Sequence, residues 1–209
     1  FNFTPWLWST GATSYDINND NGIKALTLVK DLVDAGSMSK EVINWTQGDV
    51  MNQFISGNIA MMVNGPWQVP TMREQAPDLN WDVTLLPKDA EYASCLGGEN
   101  FGVIDGDNVD AALDFLQFAT SKDEVASYID DFGYIAARKD VAEGQFTDDE
   151  TMQKFTEEMQ YAQPRGPHAQ WPEISDALSL AVNESITGTS TPADAAAKAQ
   201  STIDGILAE

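Results

Sequence analysis

The chain has 209 residues, 43% of them hydrophobic, and sets 33 acidic against 11 basic side chains for a net charge of −22. That length buries a sizeable core, whereas the charge excludes nucleic acid and anionic membrane surfaces as partners, because both demand clustered Lys and Arg. A single cysteine, Cys95, and a single histidine, His168, exclude an internal disulfide and leave zinc binding and Ser/His or Cys/His catalysis without parts.

Residues 1–17 read as an aromatic loop carrying Trp6, Trp8 and Tyr15. Asn18-Asn19-Asp20-Asn21-Gly22 is a capping cluster, and a helix is predicted from it to Ala35, with Ile23, Leu26, Val29 and Val33 on its apolar face. Gly36 closes that helix. Thr46 caps a second one, which stops at Gly57. Residues 59–63 are apolar without alternation, which predicts a short strand buried on both faces. Asn64-Gly65 is turn chemistry, and Pro66 opens a helix to Gln75. Trp67 therefore stands where a strand hands over to a helix. Two readings follow: a core residue plugging the strand end, or a flat stacking platform at the carboxyl edge of a sheet, where open α/β folds bind ligands.

Residues 81–86 form another predicted strand, ended by Pro87, and 88–94 a polar connector. Gly97-Gly98-Glu99-Asn100 leads into a third strand, 100–104. Helices are predicted over 109–121, over 122–132 with Ser121 as cap and Gly133 as stop, and over 149–161, with 134–148 irregular. A Pro-rich loop, 163–172, holds His168 and Trp171 and precedes a helix from Pro172 to Thr187; Thr191 caps the last helix. Strands alternating with helices predict an α/β fold with a mostly parallel sheet. No stretch of 18 apolar residues marks a membrane span.

Trp6, Trp8, Trp67 and Trp171 all fall at junctions between elements. Aromatic faces match the C–H face of a sugar ring, and carboxylates and amides match its hydroxyl rim. Gly98, Glu99 and Asn100 add a close backbone approach and two hydroxyl-binding side chains, or a plain turn into a strand. No pair of the 33 acids stands out as a glycosidase pair, so nothing specific supports an enzyme, a metal or a cofactor.

The run from Gly48-Asp49-Val50-Met51 through Phe54-Ile55-Ser56-Gly57-Asn58-Ile59-Ala60-Met61 to Asn64-Gly65-Pro66-Trp67 resembles the signature region of extracellular solute-binding proteins of ABC sugar importers, the maltose-binding-protein-like group. Leu96 to Asn100, Ala111 to Asp123 and Arg165 to Ala177 are similar to later segments of that family, in its order. The resemblance extends over essentially the whole sequence. It implies a periplasmic-binding-protein-like (type II) two-lobed fold, of which this chain is the C-terminal lobe plus a crossover segment of the other lobe. By that mapping residues 1–94 and 144–209 belong to the C-terminal lobe, and 95–143 cross to the N-terminal one; an N-terminal portion is expected to precede Phe1.

The resemblance further implies a carbohydrate-binding component that closes its cleft on a sugar or oligosaccharide, without making or breaking bonds, and passes it to ABC transporter permease subunits. The alternative is a lobe of a carbohydrate-active enzyme. Location is implied to be extracytoplasmic, in a periplasm or lipid-anchored at the outer face of the membrane. The Trp after Asn-Gly-Pro stacks on sugar in the family, which carries to Trp67; Trp6 and Trp8 fall where it places cleft aromatics, Gly98, Glu99 and Asn100 at a hinge crossing, and Trp171 at the cleft edge. The family's aromatic on the helix after the Pro-rich loop is replaced here by Leu178 or is absent. Phe101, Val103, Leu113, Phe115, Leu116 and Phe118 are expected to be left partly bare, so that the 95–143 surface either dimerises or stays mobile. A light-scattering monomer with well-protected amides over 95–143 would sink that expectation.

Overall fold

The computed structural model describes residues 2–208. Helices dominate: α1 (Thr4–Ser9), α2 (Asp20–Asp34), α3 (Gln47–Ile55), α4 (Val69–Gln75), α5 (Val109–Ala119), α6 (Lys122–Tyr128), α7 (Lys139–Ala142), α8 (Glu150–Glu158), α9 (Trp171–Thr187) and α10 (Pro192–Leu207). Two three-residue strands, β1 (Ser94–Leu96) and β2 (Ala162–Pro164), pair in parallel with Cys95 opposite Gln163. The chain divides into two compact units. One takes the residues up to Asn52, then Leu86–Leu96 and the chain from Glu158 onward; the other takes Gln53–Leu85 and Gly97–Glu157.

The first unit is built on α2, α9 and α10, with α1 laid on their common core. Its buried residues include Leu7, Trp8, Ile17, Leu26, Ile174, Leu178 and Ile203. Where α9 meets α10 the facing residues are small: Ala177 and Ala181 lie in the same core as Ala195, Ala196 and Ala199, which lets the two backbones approach closely. The caps predicted at Asn19 and Thr191 are made, whereas Ser121 stands at the start of α6 without a side-chain capping bond. The Asn19 side chain accepts from the amides of Asn21 and Gly22, each at 3.0 Å, and the Thr191 hydroxyl accepts from Asp194 N–H at 3.1 Å. The Gln200 amide on α10 fixes the loop before α2, accepting from Ile17 N–H at 2.8 Å and donating to the Tyr15 carbonyl at 2.9 Å.

The second unit has a smaller core of Val125, Ala136 and Val141, with Tyr128 and Ile129 against it. Val69 and Met72 on α4 and Met152 on α8 are also buried. The Arg73 guanidinium grips the Asp149 carboxylate in a two-pronged pair, 2.7 and 2.8 Å, tying α4 to the start of α8.

Three of the sequence expectations are corrected. Residues 59–63, 81–86 and 100–104 do not form strands, and residues 59–63 are not buried on both faces, since Met61 is 85% exposed. A strand is completed by its neighbour's hydrogen bonds, and among the described residues none of the three runs has a ladder partner. Residues 4–9, expected as loop, form α1, because Pro5 fits a first turn and Leu7 and Trp8 bury themselves in the core. Residues 139–142, inside a segment expected to be irregular, form α7.

Candidate functional site

In the first unit, the predicted tryptophans part company. Trp8 is 7% exposed, and its indole N–H donates to the Ser14 hydroxyl at 3.1 Å. It is a core residue whose polar edge is satisfied internally. Trp6, two positions earlier on the same short helix, is half-buried. Trp171 opens α9 and is also half-buried, packed against the core. Tyr15 meets the Trp171 ring edge-on at 6.4 Å and 74°, and the His168 ring lies 6.4 Å from Tyr15 on a 57° tilt. The turn that delivers Trp171 is drawn in by backbone: its N–H donates to the His168 carbonyl at 3.1 Å, and the imidazole Nδ1 accepts from Gln170 N–H at 3.1 Å. Phe3, Thr4, Trp171, Ser175, Leu178 and Val182 line a shallow depression between α1 and α9. The sequence reading named Tyr15 only as one loop aromatic; its position beside Trp171 depends on the fold of residues 10–19 and is not visible in spacing.

In the second unit, Trp67 lies in a 3₁₀ turn, Pro66–Gln68, that runs into α4. Its six-membered ring is folded back over Gly65: a Cβ on Gly65 would fall 2.2 Å from the ring. A larger residue at 65 would oblige the indole to swing aside. Tyr134 flanks Trp67 with ring centres 6.2 Å apart and planes at 48°, and Phe132 flanks Tyr134 at 6.3 Å and 37°. Trp67 and Tyr134 are half-buried, and Phe132 is 57% exposed. Gly133 makes this possible. It adopts φ +66° as the stop of the preceding turn, and a Cβ there would lie 2.7 Å from the Pro66 carbonyl oxygen. Gly98, Glu99 and Asn100 belong to the same unit and lie in an exposed, irregular stretch. A Cβ on Gly98 would meet nothing within 4 Å.

Titration effects cluster away from these aromatics. Arg73 holds the Asp149 carboxyl below its ordinary range through their paired hydrogen bonds, and the Thr46 hydroxyl does the same to Asp49. Among the described residues no cluster of three or more His, Cys, Asp or Glu is placed to hold a metal ion, and no helix is long and apolar enough to cross a membrane.

Comparison with known proteins fixes what this frame is. Residues 1–154 match the family described as bacterial extracellular solute-binding protein. The chain belongs to that family. A binding protein of Brucella abortus (strain 2308) is 27% identical over 207 residues, covering 92% of this chain and 50% of the relative. The same identity and coverage are found for a binding protein of Brucella suis biovar 1 (strain 1330). Among solved structures, an ABC transporter solute-binding protein from Thermotoga lettingae bound with α-D-tagatose superposes with a TM-score of 0.83 at 26% identity, over 99% of this chain and 56% of that one. Maltose-bound MalE3 of T. maritima superposes with a TM-score of 0.84 at 23% identity, over 98% and 56%. The chain thus spans about half the length of the relatives it matches, and over that half it carries the periplasmic-binding-protein-like (type II) fold of sugar-bound solute-binding proteins.

Proposed function

We propose that this chain is part of a carbohydrate-binding protein of an ABC import system, which captures a sugar or oligosaccharide in an inter-lobe cleft outside the cytoplasmic membrane and hands it to permease subunits. The observation that carries the reading is Trp67: a half-buried indole at a turn, its ring folded over Gly65, beside a second aromatic ring. A flat apolar face with polar groups at its edge is what a pyranose ring requires. The family membership and the sugar-bound structural neighbours support the same ligand class.

In this reading Trp67 supplies the main stacking face, Trp6 and Trp171 supply further aromatic surface, and Gly98, Glu99 and Asn100 supply backbone and hydroxyl contacts at a crossing between lobes. Trp8, buried in the core of α1's unit, supplies packing and not a sugar face. The lobe assignment belongs to the same proposal: residues 1–94 and 144–209 in one lobe and 95–143 crossing to the other. Closure follows from ligand contacts that exist only in the closed state, which shift the population toward it. No catalysis is involved, and the transported sugar leaves unchanged.

The test is a thermal-shift screen of the full-length protein against mono- and oligosaccharides, followed by Trp67→Ala. A ligand at about 100-fold its Kd stabilises the protein by about 2.7 kcal/mol, enough to read as a clear rise in Tm. Trp67→Ala is expected to abolish the rise while leaving the ligand-free Tm nearly unchanged. A variant that keeps the full ligand response would remove Trp67 from the site.

A further inference from the structure

The Trp67 ring does not stand alone, and the segment beside it is held by a device that its own sequence position does not need. Gln145 lies in the loop after α7, yet its side-chain amide spans the turn that carries Tyr134. Its Oε1 accepts from Ala136 N–H at 2.8 Å, and its Nε2 donates to the Tyr134 carbonyl at 3.1 Å and to the Asp130 carboxylate at 2.5 Å. Gly133, with no Cβ, lets the same turn press against Pro66 and Pro70. The turn is thus pinned from both sides, by an amide clamp and by backbone contact with the Trp67 turn. The result is two rings, Trp67 and Tyr134, with centres 6.2 Å apart and planes inclined by 48°. Phe132 flanks Tyr134, with ring centres 6.3 Å apart.

From this geometry we infer that Tyr134 is a second stacking face, so that Trp67 and Tyr134 together take two consecutive sugar units of a bent oligosaccharide. The inference rests on the carbohydrate reading of Trp67 and goes beyond it by adding a second subsite, so that a disaccharide gains contacts its monosaccharide lacks. The ring-to-ring spacing is comparable to that between adjacent pyranose rings in a glycan chain. The inclination decides between chain shapes. Two coplanar rings suit a flat, extended glycan; two inclined rings follow a chain that turns from one residue to the next. Gln145 acts as a positioning residue, because it touches the turn and not the platform.

The experiment has two arms on the full-length protein. The first reads the ring pair without ligand, by near-ultraviolet circular dichroism of Tyr134→Leu, Trp67→Leu and the double variant. Coupled rings make the spectral change from Tyr134→Leu depend on whether Trp67 is present. An identical change in both backgrounds overturns the pair. The second arm measures binding of the matched probes D-glucose and maltose, and D-mannose and mannobiose. Tyr134→Leu is expected to cost about tenfold more affinity on the disaccharide than on its monosaccharide, Tyr134→Phe to restore it, and Gln145→Leu to reproduce part of the loss. Equal losses on both members of a pair overturn the second subsite while leaving Trp67 as a sugar face. Binding of none of the four probes also overturns it, whereas the broader glycan panel decides the carbohydrate reading separately.

Discussion

Gly22 and Gly205 both sit inside helices, and their opposite surroundings separate steric need from tolerance. A Cβ on Gly22 would fall 2.0 Å from the Ile17 carbonyl oxygen, where the preceding loop crosses the first turn of α2. That contact is backbone, so no side chain can swing aside. Gly22→Ala is expected to destabilise by about 2–3 kcal/mol, through displacement of the loop or the helix start. On Gly205 in α10 the same atom would meet nothing within 4 Å. Gly205→Ala is expected to stabilise by about 0.5–1 kcal/mol, since alanine loses less backbone entropy in a helix. Chemical denaturation of the two variants side by side checks the signs; destabilisation of both to the same degree would refute the steric account. At this scale the sequence showed some things and hid others. Gly133 as a helix stop was legible, because a left-handed stop after a helix has few alternatives. Its second duty, letting the Tyr134 turn approach Pro66, was not, because it depends on a contact across more than sixty positions of chain. Trp8 and Trp6 look alike in sequence; only the direction of a short helix sends one into the core.

Among elements, the longer helices were readable, the short α1 and α7 and the strands were not, and for the strands the reason is where their hydrogen bonds go. Helices satisfy their backbone within the segment and announce their ends by caps, so Asn19, Gly36, Thr46, Gly57 and Thr191 all fall where local chemistry puts them. A strand depends on a partner elsewhere in the chain. The apolar run 59–63 reads as a strand in isolation, yet it stays unpaired among the described residues, while the unremarkable runs 94–96 and 162–164 pair with each other. Long-range ties between elements are equally silent in sequence, and the Arg73–Asp149 pair is one that can be measured. The hydrogen bonds from Arg73 are the largest influence on Asp149 and lower its pKa in the folded state. The unfolded carboxyl titrates near about 3.9. A depressed folded-state pKa means stability that is present above the unfolded value and lost as pH falls through the folded one. With the Arg73 side chain 49% and the Asp149 side chain 26% exposed, solvent screening limits the pair to about 1 kcal/mol or less. The stability gap between the unmutated protein and Arg73→Ala is therefore expected to be constant above about pH 5 and to shrink as the solution is made more acid. A gap that does not change with pH would mean that Arg73 acts through its aliphatic packing instead.

For the molecule as a whole, the balance lies between a strongly acidic surface and bare apolar residues on one helix. No residue of α5 is buried, and Leu113, Phe115 and Phe118 are 48%, 61% and 58% exposed, with Phe101 at 64% in the stretch before it. Covering a few hundred Å² of such surface at about 25 cal/mol per Å² supplies several kcal/mol toward association. Stable interfaces bury about 800 Å² per partner, so this patch alone supports a weak dimer of the 209-residue chain. Opposing it is the net charge of −22, with Asp105, Asp107, Asp110 and Asp114 beside the patch. Two copies brought together there place like charges within reach of one another. Salt screens that repulsion, the Debye length falling from about 30 Å at 0.01 M to about 3 Å at 1 M, and leaves the apolar term intact. The expected outcome is an average mass by light scattering that is monomeric at low ionic strength and rises toward the dimer as salt is added. Phe115→Lys with Phe118→Lys is expected to hold the monomer at every salt concentration, because it removes the apolar gain from the patch. A mass unaffected by salt would show that the acidic rim does not govern association, and a dimer that survives both lysines would place the interface on another face of the chain.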